Sequence, residues 1–461
     1  MKAGIWRDWS KAAASPRVRD SPSRAGRAEA GCFEEEPKHK GSLRLRLKAL
    51  VSAQLRSGRS DDLEIGGVVA CALAAIFIAG IVSTPSRGKW AAPVKVFFIL
   101  LAVALAGTFC ASAYEFNADG TWNTPHGPAQ MPDDTNVRKL YLLLVDDATQ
   151  LKYYDSGVGT DGTAFEHFFG GTMGEGLFEK VQDGYGFVSY VWDPDDDIYI
   201  FGFSRGAYTA RSLAGMLAAF GVPTKNLDNQ TVKRIFDAYR ISDHELRKKA
   251  KDQLTAEYDL ADVKVRMVGV WDTVGALGVP GQLFGDFEQA KYGFLDTALN
   301  PCIQNAFHGI SLDERRASFA PTLWTNPDGS PRENDAQVQQ IWFPGVHCDV
   351  GGSYAQCELS NITLRWMVDN AKSCGLVFNV DDVQKYLPAT YKPLGPAHDE
   401  WKAIPWGVPK DRVAPPNAVL SNTVKIRLNG SIGYHSAALL FPIDSYKQTA
   451  VIPDQELDLP Q

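Results

Sequence analysis

The stretch Asp197-Ile-Tyr-Ile-Phe-Gly202-Phe-Ser204-Arg-Gly206-Ala-Tyr-Thr-Ala-Arg211-Ser-Leu-Ala-Gly-Met216 decides how the chain is read. It begins as a β-branched and aromatic run, passes through Gly-x-Ser-x-Gly and continues as an amphipathic helix. A serine on so tight a strand-to-helix turn sits in a backbone conformation that neighbouring side chains would obstruct, and glycines at 202 and 206 remove them. The hydroxyl is left exposed at a helix N-terminus, which favours nearby negative charge. Ser204 is therefore the expected nucleophile; an ordinary glycine-rich turn is the competing reading.

A serine hydroxyl needs a base to take its proton, and the base needs an acid to orient it. Two segments offer them: Val268-Gly-Val-Trp-Asp272-Thr-Val-Gly275 sets Asp272 just past a strand, and Trp342-Phe-Pro-Gly-Val-His347-Cys-Asp349-Val-Gly-Gly352 sets His347 past another. The order Ser, Asp, His is that of α/β hydrolases. His435, near the C-terminus, is the alternative base. His308 reads as structural, ahead of an expected helix at Asp313-Glu-Arg-Arg316, and Asp349 as a carboxylate that fixes a loop. For a developing oxyanion, one donor is expected from the backbone N–H of Arg205 and a second from Asp119-Gly120-Thr121 through Gly120, although Asp119-Gly120 also reads as a plain hairpin turn.

From residue 114 onward, strand candidates at 114–118, 139–145, 197–203, 264–270 and 339–346 alternate with helix candidates at 205–220, 231–239 and 361–374. That alternation predicts an α/β fold, a mostly parallel sheet flanked by helices, as one catalytic domain over 114–461. Its part from about 376, rich in Pro and Trp, is expected to be an irregular cap or extension. Ahead of it, residues 1–64 carry fourteen Lys and Arg against nine Asp and Glu, leaving 33 against 45 for the rest. The first segment reads as a basic, disordered or membrane-surface tail, or as an over-extended gene start. The acidic body argues against general nucleic-acid binding.

Between them lie two apolar runs, 65–83 (IGGVVACALAAIFIAGIVS) and 94–113 (VKVFFILLAVALAGTFCASA), each close to the ~20 residues of a membrane-spanning helix. The second, ending in Ala111-Ser112-Ala113, also reads as a signal peptide. Two spans would return the body to the cytoplasm, the reading we favour; a cleaved signal would export it. Seven scattered cysteines without a CxxC pair suggest neither a zinc site nor a disulfide framework. Cys348 and Cys357 could pair, but free thiols are the simpler expectation. No metal or organic cofactor is expected.

Seven phrases occur in order: Asp119-Gly-Thr-Trp-Asn123, Thr135-Asn-Val137, Tyr153-Tyr-Asp-Ser-Gly-Val-Gly-Thr160, Phe201-Gly-Phe-Ser-Arg-Gly-Ala-Tyr-Thr-Ala-Arg211, Val270-Trp-Asp-Thr-Val-Gly275, Asp313-Glu-Arg-Arg316 and Trp342 to Gly352. Together, over about 114–375, they resemble the catalytic domain of the type VI secretion phospholipase effectors. The resemblance implies an α/β-hydrolase fold and phospholipase or carboxylester hydrolase activity, with a triad on Ser204, Asp272 and His347. Cys348 stands where that family usually has a small hydroxyl residue, and the apolar runs before Asp119 are not typical of its effectors. The expectation is a membrane-associated esterase with a phospholipid or other lipid ester as substrate. Its rivals are a small-ester or thioester hydrolase and a catalytically silent binding module of the same fold.

Overall fold

The computed structural model describes residues 113–118, 134–147, 149–155, 173–274, 299–326, 328–430 and 433–459. The expected tail and most of both apolar runs lie outside these residues. Ala113, expected to end the second run, is instead the first residue of a strand. Among the described residues no helix is long and apolar enough to cross a membrane.

The chain begins with β1 (Ala113–Ala118), α1 (Asn136–Leu143), β2 (Gln150–Asp155), α2 (Met173–Val191) and β3 (Asp197–Phe203). Next come α3 (Arg205–Phe220), β4 (Val222–Pro223), α4 (Asn229–Tyr239), α5 (His244–Tyr258), β5 (Leu260–Ala261) and β6 (Val265–Trp271). Then follow β7 (Ala306–Ser311), β8 (Val338–Phe343), α6 (His347–Gly351), α7 (Glu358–Ser373) and α8 (Val380–Tyr386). The last elements are α9 (Ala403–Trp406), β9 (Val419–Ser421), α10 (Asn422–Gly430) and β10 (Lys447–Thr449). Among the described residues, eight strands form one sheet in the order β10-β9-β8-β7-β6-β3-β1-β2, and every pairing in it is parallel.

Alternation of side chains across the strands gives the sheet two apolar faces. On one, Phe116, Ile198 and Ile200 pack with Leu213, Leu217 and Phe220 of α3. On the other, Tyr199, Phe201, Met267 and Phe307 pack with Val137 and Leu140 of α1 and with Ile362, Trp366 and Met367 of α7. Strands buried on both faces read as near-continuous apolar runs, which is why β3, β6 and β8 are recognisable in the sequence. From β1 the chain goes to β2 on one side and then to β3 on the other. Strand order therefore reverses between β1 and β3, where parallel sheets open a crevice beyond the carboxyl ends of their strands.

Two expectations fail for local reasons. The predicted strand at 139–145 is helix α1: Thr135 caps it by accepting a hydrogen bond from the Arg138 N–H, and Val137, Leu140 and Leu143 fall on one buried face. Three- and four-residue spacing overrides the apparent β-run of Tyr141 to Val145. The helix predicted at Asp313 to Arg316 does not form either; His308 lies on β7, and residues 317–319 make only a short 3₁₀ turn. The part after 376 is less irregular than expected, since β9 and β10 extend the sheet edge.

Asn136 ties these layers together. Its buried amide nitrogen lies 3.0 Å from the Val350 carbonyl, 2.9 Å from the Ser360 carbonyl and 2.9 Å from Thr363 Oγ1, joining α1 to the junction of α6 and α7. Leaving buried acceptors unmatched costs about 1–3 kcal/mol, so Asn136→Ala should lower the urea midpoint of the full chain by that equivalent. An unchanged midpoint would show that the junction is held by apolar packing alone.

Candidate active site

Three loops leave the carboxyl ends of β3, β6 and β8 and converge. Ser204 follows β3 directly with φ 59° and ψ −122°, a strained conformation for a side-chain-bearing residue. The elbow is held in place by a hydrogen bond from the Ser204 N–H to the Trp271 carbonyl, 3.0 Å. Gly202 permits the turn: a Cβ there would come within 2.4 Å of the Gly206 carbonyl oxygen and 2.7 Å of the Ala207 backbone.

Asp272 follows β6, also with positive φ (39°), and its N–H donates to the Gly309 carbonyl on β7 at 2.7 Å. His347 opens α6 four residues beyond β8. His347 Nε2 lies 2.8 Å from Ser204 Oγ, and Nδ1 lies 2.6 Å from Asp272 Oδ2. The imidazole lies between two aromatic rings, with centroids 4.6 Å from Phe203 and 4.9 Å from Phe319. The structure thus joins the three residues picked out from the sequence into one hydrogen-bonded chain. His435 is elsewhere and exposed, with its ring against the Gly433 carbonyl.

The electrostatics suit proton transfer. Burial pulls His347 below the ordinary imidazole value and Arg316 adds to this, outweighing the opposite pull of Asp272 and Glu314. Burial alone would raise Asp272, but the Arg412 charge and the bonds from His347 and Arg412 hold it well below the usual carboxylate range. The pair at rest is a neutral imidazole against an ionised carboxylate. Burial pushes the neighbouring Cys348 thiol up to about 12, so it is no rival nucleophile near neutrality. Among the described residues Cys302, Cys348, Cys357 and Cys374 are free, and no group of side chains could hold a metal ion.

Several further residues support the three; Asp349 was expected to fix a loop and His308 to be structural, whereas Asp313, Glu314 and Arg412 were not assigned roles from the sequence. Asp313 Oδ2 accepts from the Gly345 N–H at 2.7 Å and from the Tyr434 hydroxyl at 2.9 Å. Glu314 Oε2 accepts from the His347 N–H at 3.3 Å while Glu314 pairs with Arg316. The acidic pair of the Asp313-Glu-Arg-Arg316 phrase thus grips the backbone that carries His347. Asp349 accepts from the Val346 N–H at 3.0 Å and meets His398 Nδ1 at 2.6 Å, pinning the same loop to the C-terminal part. His308 Nε2 accepts from the Thr273 N–H at 3.1 Å; burial drives this histidine down to about 3, so it stays a neutral acceptor. Arg412, from the region expected to be irregular, makes two contacts to Asp272, at 2.7 and 2.9 Å. No local motif announces it.

Of the two expected oxyanion donors, Arg205 is the first residue of α3, directly after Ser204. Gly120 lies outside the described residues. The register pairs Ala118, the last residue of β1, with Gly202 of the elbow.

A family model described as the type VI secretion system phospholipase effector Tle1-like catalytic domain matches residues 116–370. The chain belongs to this family. A Tle1-like assignment fits the phrases already located at the strand ends, since Phe201 to Arg211, Val270 to Val274 and Trp342 to Gly352 carry Ser204, Asp272 and His347. The uncharacterized protein YEL023C of Saccharomyces cerevisiae is 28% identical over 223 residues, 41% of this chain and 30% of the yeast protein. The chain therefore spans well under half the length of that curated relative. Among solved structures, the Tle1 effector bound to the VgrG spike of the type 6 secretion system is 16% identical, covering 61% of this chain and 77% of that one with a TM-score of 0.36. Esterase 2 of Thermogutta terrifontis, phosphorylated by paraoxon, is 12% identical, covering 58% and 84% with a TM-score of 0.32.

The elbow geometry gives a direct test. Gly202→Ala should destabilise the full chain by about 1–3 kcal/mol through overpacking against the Gly206 and Ala207 backbone, read as a fall in Tm. An unchanged Tm would mean that the turn relaxes without cost.

Proposed function

We propose that the chain is a serine hydrolase of lipid carboxylic esters, with phospholipids as the substrate class. Membership of a phospholipase-effector catalytic family supports ester hydrolysis as the general chemistry. The observation that carries the finer reading is the continuous path from Ser204 Oγ through His347 to Asp272, at 2.8 and 2.6 Å.

In this mechanism Ser204 attacks the ester carbonyl carbon while His347 Nε2 takes the hydroxyl proton. The C–O bond to the leaving alcohol breaks as His347 returns that proton to it. Water then attacks the acyl-enzyme by the same route, releasing the fatty acid and restoring Ser204. Asp272 orients the ring and stabilises the imidazolium. The tetrahedral oxyanion would be met by the Arg205 N–H and by a donor from the Gly120 turn, each donor being worth about 3 kcal/mol. Membrane attachment, with the body on the cytoplasmic side, belongs to the proposal on the strength of the apolar runs in the sequence.

Full-length protein should release fatty acid from phospholipid vesicles and be labelled by a fluorophosphonate probe. Ser204→Ala should abolish labelling and cut turnover by about 10⁴-fold or more. Turnover of short esters alone would favour the small-ester reading, and turnover that survives Ser204→Ala would sink the serine mechanism.

The pH dependence has a definite sign. His347 must be neutral to accept the proton, and its folded value is displaced downward. The acid limb of kcat/KM should therefore have its midpoint below about 6.5, the ordinary imidazole value. A midpoint at or above that value would contradict the desolvated, neutral imidazole described here.

A further inference from the structure

We infer that Arg412 is a positioning residue for this site: its guanidinium fixes the Asp272 carboxylate in the orientation and charge state on which His347 relies. The inference rests on the triad reading above and extends it into the C-terminal part of the chain, beyond the family match that ends at residue 370.

The accounting at Asp272 carries it. Oδ1 accepts from the Ser311 N–H at 2.9 Å and from Arg412 Nη1 at 2.7 Å. Oδ2 accepts from Arg412 Nη2 at 2.9 Å, faces His347 Nδ1 at 2.6 Å and has the Ser311 hydroxyl at 3.3 Å. The fork of Arg412 therefore closes over both oxygens, and one of these is the oxygen that holds the imidazole. Nη1 also donates to the Ser311 carbonyl at 2.7 Å and Nη2 to the Phe319 carbonyl at 2.5 Å. These bonds fix the plane of the guanidinium, and with it the plane of the carboxylate. The residue is buried to 6% exposure, Asp272 to 0%. Among the described residues Arg412 Nε finds no acceptor, and the side chain is oriented by its two Nη groups.

A packing role alone would not need a cation here. When His347 takes the serine proton, the new imidazolium draws on a carboxylate whose charge Arg412 already shares. Arg412 thus keeps Asp272 ionised while moderating the proton affinity of His347. Among the described residues, the other charged or titratable groups around the pair include Glu314 and Arg316 from the segment after β7, Cys348 and Asp349 beside His347, and His308 from β7. Glu314 and Arg316 are paired with each other, and His308 is neutral, so Arg412 is the cation acting directly on the carboxylate.

The test compares full-length wild type, Arg412→Gln, which removes the charge, and Arg412→Lys, which keeps the charge but loses the fork. Each is followed by thermal melting and by kcat/KM against pH, with Ser204→Ala as the control. Without the cation both Asp272 and His347 hold their protons more strongly, so the acid limb of Arg412→Gln should move up by about one pH unit. Arg412→Lys should leave the limb within half that distance of wild type while kcat falls about tenfold, because a single ammonium cannot fix the carboxylate plane. A folded Arg412→Gln with an unmoved limb overturns the inference. Should Arg412→Gln fail to fold, wild-type kcat and limb in Arg412→Lys overturn it equally. If wild type shows no Ser204-dependent turnover, it is the triad reading that fails.

Discussion

A carboxylate with no solvent exposure has to be compensated, and the ends of three strands are organised around that requirement at Asp272. An isolated ionised carboxylate in a protein interior would neutralise by binding a proton, which would make it useless as a hydrogen-bond acceptor for an imidazole. Here Ser311 at the end of β7, His347 beyond β8 and Arg412 from the C-terminal part supply the compensation. Removing one partner from a buried ion pair typically costs about 3–5 kcal/mol, more than most single apolar contacts supply. The C-terminal part is therefore bound energetically to the same point that the sheet presents, although little in its own sequence suggests this.

The parallel sheet is what makes such convergence possible. Because every strand in it runs the same way, the loops after β3, β6, β7 and β8 all emerge on one edge. Neighbouring strands then lock these loops together through their backbones: Ser204 donates to Trp271, and Asp272 donates to Gly309. Two strained residues, Ser204 and Asp272, sit at these exits, with the strain borne by a frame buried on both faces. This is the usual division of labour in which a rigid scaffold holds residues that local preference would place elsewhere.

How much of this could be read from the sequence follows from the range of the interactions. The elbow was legible because strand, glycines and helix are contiguous, and Asp272 and His347 because each follows an apolar run that could only be a buried strand. Helix α1 was misread because Lys139 to Val145 is rich enough in apolar residues to satisfy either period; the deciding signal was the cap at Thr135, just outside the run. Strand β7 was missed because Ala306 to Ser311 contains Gly309 and a buried histidine, and its pairing with β6 and β8 is a long-range fact. Arg412 was illegible for the same reason at greater distance: it lies 140 residues from Asp272 in a Pro-rich segment without a motif. Its fork matters only once the fold has brought the carboxylate to it.

The charges around the imidazole also show why the site is built from pairs. Asp272 is matched by Arg412 and Glu314 by Arg316, so each carboxylate that bonds His347 has its own cation. In the proposed reaction, proton transfer from Ser204 would create one positive charge on the ring and one negative charge on the substrate oxygen, beside carboxylates that are already matched. Had these carboxylates been unmatched, the imidazolium would be favoured but the oxyanion penalised; unmatched cations would do the reverse. Pairing of the two contacting carboxylates leaves much to oriented dipoles and to hydrogen bonds whose positions are already fixed, and such preorganised groups need little rearrangement as charge develops. The bonds that Asp313 accepts from Gly345, Glu314 from the His347 N–H and Asp349 from Val346 serve that end, since they hold the backbone that carries the ring.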